Sequence, residues 1–252
     1  MKWTPGTGAW MPGVRQEPGR GLRLGKLEYR TLDRITHVIV HHTGVGVLAR
    51  FGRDRLRFGW LDPIDAAVHV YTRIMASSGH YVVGYDGTVV QIVPEDFSAW
   101  HAGYGGERRR GVLSEWFARM RFAKRDGKDR PAWLADDRYA WWFNRWWIQC
   151  GYTSPCVWFP DLDVNGSSIG IELVSTPGRD PFPDSQLYGG AGGPGLEGLV
   201  HRLCREYGVP LDEDHVLMHS DVCPLARTTP GGEPYDPPPA KYTFQGVFGG
   251  MN

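Results

Sequence analysis

The sequence predicts an α/β (α+β) fold, in which helices flank a central mixed β-sheet of about five or six strands and a Trp-rich helical insertion is added. Two kinds of pattern support this prediction. The segments that begin near residues 63 and 196 carry apolar residues at helical spacing, which is typical of amphipathic helices. Short runs rich in β-branched and aromatic residues alternate with them, at residues 38–40, 80–93, 169–174 and 215–219.

The chain begins with an arm and a buried strand. Residues 1–30 are rich in Gly, Pro and Arg and show neither a helical nor a strand period, so we expect an extended arm. The β-branched run Val38–Val40 predicts a buried strand that ends at His41 and His42. Because side chains alternate along a strand, only one of these two histidines can face a given cleft.

A helix, a hairpin and the insertion follow. Asp62-Pro63 is a favourable helix start, with a capping carboxylate and a proline at the first helical position. Two β-rich runs on either side of Asp86-Gly87 predict a hairpin. Between about residues 104 and 163 the composition changes, and most of the 11 tryptophans fall there. We therefore predict a main domain at 31–240 with an insertion at about 104–163.

The second half predicts a strand, a helix and a short strand. Residues 169–174 alternate between two faces, which places Glu172 opposite the apolar side chains. Apolar residues from Leu196 to Tyr207 recur at i, i+3, i+4, i+7 and i+8, and Gly208 ends this helix. Residues 215–219 form a strand that ends in a histidine, His219. From residue 224 onward the Pro/Gly-rich sequence predicts loop, with a tail at 241–252.

The composition limits the function classes. Hydrophobic residues make up 41% and charged residues 22%, as in a soluble globular protein. Lys and Arg number 28 and Asp and Glu also 28, so there is no basic excess for nucleic acid or an anionic membrane. Residues 1–13 have no apolar signal-peptide core, and no apolar run is long enough for membrane insertion. Cys150 and Cys156 could bridge a small loop, and we leave this pairing open.

Polar side chains end three of the predicted strands. They are His41 or His42, Glu172 and His219. Two imidazoles suit Zn²⁺, and a nearby carboxylate suits a general base. The alternative from the residues alone is that the histidines are hydrogen-bonded structural groups and that Glu172 is a solvated carboxylate on an edge strand.

Five segments, in order, resemble the motifs of the type 2 N-acetylmuramoyl-L-alanine amidases, the superfamily that includes peptidoglycan recognition proteins. The resemblance covers about residues 34–103 and 164–238. The segments are VIVHHT at 38–43, GHYVVGYDGTVVQIV at 79–93, AWHAG at 99–103, SIGIEL at 168–173 and HSDVCPLARTTPG at 219–231. Within this superfamily the chain is most similar to the branch that pairs a small residue, here Gly79, with a glutamate on the SIGIEL strand, here Glu172.

The resemblance implies a zinc site. His41 and His219 would be zinc ligands, whereas His42 would point into the second shell or the core. The third ligand is normally an Asp or Cys immediately before the Pro-Gly of the last motif, and here that residue is Thr229. A hydroxyl is a weaker zinc ligand than a carboxylate or thiolate. Zinc could therefore bind weakly, or a nearby Cys223, Asp221 or Glu233 could replace Thr229.

The resemblance also implies a reaction. The expected substrate is peptidoglycan or a muropeptide, cleaved at the amide between N-acetylmuramic acid and L-alanine by a water molecule that zinc activates. Glu172 would act as the base, and Arg227, where the family usually has Lys, would stabilise the oxyanion. Trp100 and His101 would line the substrate groove. Because of Thr229, the alternative is a catalytically impaired peptidoglycan-binding or structural module on the same scaffold.

Two further interpretations concern the insertion and the compartment. The aromatic residues of the insertion either pack onto the main domain, or are exposed and widen the substrate groove or dock a particle or protein partner. A bacteriolytic endolysin of a phage, a particle component or a secreted effector would each act on the cell wall without a visible signal peptide. A cytoplasmic recycling enzyme is a further alternative.

Overall fold

The computed structural model describes residues 8–18, 28–43, 62–73, 79–102, 164–175, 182–222 and 243–249. Several sequence predictions fall outside these residues. They concern the Trp-rich insertion, the Cys150–Cys156 pair, and the site candidates Arg227, Thr229, Cys223 and Glu233.

A six-stranded mixed sheet forms the centre of the described structure, which confirms the predicted fold class. Its order is β1-β4-β3-β5-β2-β6. The hairpin strands β3 and β4 are antiparallel, and all other neighbouring strands are parallel. The strands are β1 (Arg15–Gln16), β2 (His37–His42), β3 (Tyr81–Val83), β4 (Val89–Gln91), β5 (Ser168–Leu173) and β6 (Val216–Met218).

Six α-helices and one 3-10 turn (Leu32–Arg34) accompany the sheet in the described residues. Helix α1 begins as predicted, because a carboxylate oxygen of Asp62 accepts the Ile64 amide at 3.0 Å. Among these helices none is both long and apolar enough to cross a bilayer. They are α1 (Pro63–Arg73), α2 (Val164–Ser167), α3 (Asp184–Tyr188), α4 (Gly195–Tyr207), α5 (His219–Val222) and α6 (Phe244–Phe248).

The two faces of the sheet are both covered. On one face, the apolar side of α4 packs against alternate residues of β2 and β5, such as Val38 and Ile171. On the opposite face, α1 covers the hairpin through Val82 and its neighbours. Ile39 of β2 lies on this second face, in a small cluster with Leu217 and Ala102. Since His41 is two residues beyond Ile39, its side chain emerges on the second face.

Three local features differ from the sequence predictions. The arm includes a two-residue strand, β1, and Met11 lies buried in the main core at 2% exposure. Phe244–Phe248 is a helix that adds Val247 to this core, although the sequence predicts only loop after residue 224. The last strand ends at Met218, and His219 already belongs to a helical turn. These elements are too short to show a period, and contacts with distant parts of the chain stabilise them.

Candidate functional site

The candidate site lies where three adjacent parallel strands end. In β2 and β5, His41 is directly opposite Glu172. In β2 and β6, Val40 is opposite Met218, and the residues that follow them, His41 in β2 and His219 at the start of α5, lie side by side. Paired residues of parallel strands share a face, and these three side chains are therefore grouped at one edge of the sheet.

The rings of His41 and His219 face each other. Their Nδ1 atoms are 2.8 Å apart and their ring centroids are 4.3 Å apart. Both residues are buried, at 2% and 3% exposure. His42, by contrast, emerges on the other face, where its ring lies 6.2 Å from the ring of Phe182. The structure thus separates the two adjacent histidines, as strand alternation predicts.

His101 is the next imidazole of the cluster. Its Nδ1 lies 2.9 Å from Nε2 of His41, and its Nε2 lies 3.2 Å from the hydroxyl of Ser168. The side-chain oxygen of Asn165 accepts the backbone amides of His101 and Ala102, at 3.0 and 2.9 Å. Burial, followed by the charges of His219 and Arg30, lowers the pKa of His101 to about 3, so the ring is neutral at physiological pH.

A buried polar network beside this cluster contacts the backbone of β5. The guanidinium of Arg30 donates to the carbonyl oxygens of Ser168 and Glu95, at 2.7 and 2.8 Å. His80 accepts the Gly170 amide on Nδ1 at 3.0 Å and contacts the Phe97 carbonyl through Nε2 at 2.9 Å. Burial and then the adjacent Arg30 charge lower the pKa of His80 well below its ordinary value. This neutral histidine therefore fixes the backbone of β5 beside Glu172.

Two glycines make room for the side chains of the candidate site. A Cβ on Gly170 would lie only 2.5 Å from Cγ of His101, so the imidazole can occupy its place only against glycine. A Cβ on Gly79 would lie 2.9 Å from the Gly170 carbonyl oxygen and 3.1 Å from Cγ of Glu172. The small residue expected at position 79 thus lies directly against the glutamate of the SIGIEL strand.

The other predicted site residues are distributed as follows. Glu172 is buried at 6% exposure, and Trp100 is half-buried in the segment that leads to His101. His101 is itself buried at 6% exposure against other histidines, and its predicted contact with substrate remains a prediction. Arg227 and Thr229 lie outside the described residues.

Sequence reasoning missed the residues that surround the histidines. Ser168 and Gly170 are part of the SIGIEL segment, but their contact with His101 joins positions about 70 residues apart in sequence. Arg30 belongs to the segment predicted as an arm, yet it is buried at 2% exposure and donates to backbone carbonyl oxygens. The sequence signal for these contacts is that Ser168 and His80 lie within the motifs already singled out.

The two facing histidines fit part of a zinc site. Tetrahedral zinc holds nitrogen ligands at about 2.0–2.1 Å, which separates two of them by about 3.3 Å. The observed separation of 2.8 Å would need to increase by about half an ångström, a small movement for two side chains. Within the described residues no group of three His, Cys, Asp or Glu side chains is arranged to hold a metal ion. The described part of the chain therefore provides two candidate ligands, His41 and His219.

No curated protein matches the chain. Among solved structures, a selenomethionine derivative of AmpD is 20% identical, with a TM-score of 0.43 over 88% of this chain and 89% of that one. A mutant endolysin from Bacillus subtilis is 15% identical, with a TM-score of 0.42 over 83% and 86%. Staphylococcus aureus hydrolase AmiA, in complex with its ligand, is 12% identical, with a TM-score of 0.37 over 94% and 83%.

These structural likenesses are too low to support any transfer of function. The family comparison is more informative. The model described as N-acetylmuramoyl-L-alanine amidase matches residues 31–232, a span that includes His41, His101, Glu172 and His219. Because this match covers most of the chain, the protein belongs to the N-acetylmuramoyl-L-alanine amidase family.

Proposed function

We propose that this protein is a zinc-dependent amidase that cleaves the bond between N-acetylmuramic acid and L-alanine in peptidoglycan or muropeptides. The observation that carries the proposal is the convergence of His41, His219 and Glu172 at the ends of three adjacent parallel strands. Family membership supports the reaction class, and the donor atoms support the metal.

His41 and His219 would hold the zinc ion, with Thr229 at the third-ligand position. Zinc in such a site supplies a Lewis acid for the scissile carbonyl and lowers the pKa of the attacking water. The two imidazoles are buried, so the ion would lie in a region of low dielectric where its charge acts strongly on a bound amide.

Glu172 would accept the proton of the attacking water. Its strand position supports this role, because the residue opposite it in β2 is the candidate ligand His41. Gly79 leaves space for the Glu172 side chain, and His80 holds the adjoining backbone through the Gly170 amide. These contacts restrict the positions open to the Glu172 carboxylate, and a general base must be positioned in this way.

Two further roles rest on the sequence resemblance. Arg227 would stabilise the negative charge that develops on the carbonyl oxygen, as a guanidinium is always charged at physiological pH. Trp100, half-buried beside the cluster, would contribute an aromatic surface for the sugar or the stem peptide. We also propose action on the cell wall, as by a lysis protein, and a cytoplasmic recycling enzyme for muropeptides is the alternative.

The second candidate function is a peptidoglycan-binding module without catalysis. The observation that favours it is Thr229, a hydroxyl where the family pattern has a carboxylate or thiolate. Glu172 argues for the enzyme, since a binding module has no need of a buried carboxylate opposite a candidate ligand.

Zinc content and product analysis on the same purified protein separate the two functions. We expect about one zinc per chain and release of L-alanine-terminated stem peptides from peptidoglycan. Glu172→Gln should bind zinc normally and lose cleavage by about 10²-fold or more, because the general base is removed. Glu206→Gln, at an exposed position of α4, is the matched control. Zinc-free protein that binds peptidoglycan without cleaving it would establish the binding module.

A further inference from the structure

His101 lies between the candidate zinc ligand His41 and the hydroxyl of Ser168. Ser168 has one hydroxyl hydrogen, and this hydrogen is donated to the carbonyl oxygen of Val164 at 2.5 Å. The carbonyl can only accept. The Ser168 oxygen, 3.2 Å from Nε2 of His101, must therefore accept a hydrogen bond from that ring nitrogen.

The contact with Ser168 determines the hydrogen positions on the rings of His101 and His41. A buried, neutral imidazole has one N–H, and in His101 it is on Nε2. Its Nδ1 then carries a lone pair and accepts from Nε2 of His41, 2.9 Å away. His41 is consequently protonated on Nε2, and its Nδ1 lone pair is directed towards Nδ1 of His219 at 2.8 Å.

The surrounding residues hold the His101 ring in this place. Gly170 has no side chain where the ring lies, since a Cβ there would be 2.5 Å from its Cγ. Asn165 holds the backbone on the other side through the amides of His101 and Ala102. With 6% exposure, the ring is enclosed by protein. These contacts hold the His101 ring next to His41.

We propose that His101 is a positioning residue that keeps His41 in the Nε2–H tautomer and so presents the Nδ1 lone pair to the metal. A hydrogen bond to the second nitrogen of a ligating imidazole sets its tautomer and orientation and raises its basicity. This inference deepens the proposed function, because it rests on His41 being a zinc ligand.

The first test is spectroscopic and does not depend on activity. Two-bond ¹⁵N–¹H correlation spectra of the metal-free protein distinguish the two neutral tautomers of each histidine. We expect Nε2–H for both His41 and His101 in the wild type. In Ser168→Ala, which removes the hydroxyl acceptor and keeps the backbone carbonyl of residue 168, the share of the Nδ1–H tautomer of His101 should rise. An Nδ1–H tautomer of His41 in the wild type would overturn the inference, whether or not the protein binds zinc.

The second test measures zinc affinity by competition with a chelator. His101→Leu removes the acceptor for His41, and we expect its zinc dissociation constant to rise by about 10- to 100-fold. His101→Asn places a side-chain oxygen near the position of Nδ1 and should recover most of this loss. His201→Leu, on α4 beside Phe248, controls for the loss of one histidine.

The outcomes separate the inference from the proposed function. Wild-type protein that fails to bind zinc contradicts the proposed function, and the tautomer spectra still decide the role of His101. Zinc binding that is equally tight in His101→Leu and the wild type overturns the inference and leaves the amidase proposal intact. If His101→Leu does not fold, the tautomer of His41 in the wild-type protein gives the same decision.

Discussion

The close approach of Gly170 to His101 makes Gly170→Ala the most informative single substitution. The new Cβ would lie 2.5 Å from Cγ, 2.7 Å from Nδ1 and 2.8 Å from Cδ2 of His101. Carbon atoms in favourable contact are about 3.5–4.0 Å apart, so the overlap is about 1 Å. The ring cannot move away without losing its contacts to His41 and Ser168.

The expected magnitude follows from the cost of overpacking a buried site. Alanine in a strand is otherwise favoured over glycine by about 0.5–1 kcal/mol, and one extra methyl group in a packed core costs about 1–3 kcal/mol. We therefore expect Gly170→Ala to lower the free energy of unfolding by about 1–2 kcal/mol. Urea unfolding followed by tryptophan fluorescence and by circular dichroism measures this change.

A double-mutant cycle with His101→Ala tests the physical reason. If the imidazole is the group that meets the new methyl, Gly170→Ala should cost little or nothing once His101 is alanine. The coupling energy between the two positions should then be about 1–3 kcal/mol. An equal loss of stability in both backgrounds would refute the reasoning, because it would show that the cost arises from the strand backbone or from another neighbour.

Three further predictions concern other parts of the molecule. Burial and the neighbouring His215 lower the pKa of His37 to about 4. Between about pH 4 and 6.5 the unfolded chain therefore binds a proton that the folded protein does not bind. The stability that this neutral histidine contributes is complete above about pH 6.5 and is lost as the pH falls towards 4. His37→Gln should flatten the pH dependence of urea unfolding in this window by up to about 1.4 kcal/mol per pH unit, and an unchanged slope would contradict it. Tyr207→Phe should lower the free energy of unfolding by about 1–3 kcal/mol in the same assay, because the tyrosine hydroxyl donates to the buried carboxylate of Glu95; no loss would mean that this contact is unimportant. Thr229→Asp should tighten zinc binding in chelator competition, since a carboxylate is a better ligand, and an unchanged affinity would place Thr229 away from the metal.

The elements with a clear period could be predicted from sequence. The apolar spacing from Leu196 to Tyr207 predicts a helix, and α4 spans Gly195–Tyr207 and ends at Gly208 in the left-handed conformation. The β-branched run before His41 predicts the central strand β2, which spans His37–His42. In both cases the local pattern and the tertiary packing favour the same structure.

The short elements and the support of the site could not be predicted. Strand β1 has two residues and exists because Arg15 and Gln16 pair with β4, some 75 residues later. The contact between His101 and His41 joins positions 60 residues apart. No local pattern records such pairings, because they depend on how the sheet brings distant segments together. The sequence therefore indicates candidate site residues such as His41, but it does not indicate the distant residues that pack around them.

The most direct test of the account is anomalous diffraction at the zinc absorption edge, on crystals of the protein grown with zinc. We expect one strong peak between His41 and His219, about 2.1 Å from the Nδ1 atom of each ring. Clear density for both histidines without a peak between them would contradict the proposed metal site. A peak bonded to Nε2 of His41 would contradict the tautomer that His101 is proposed to maintain.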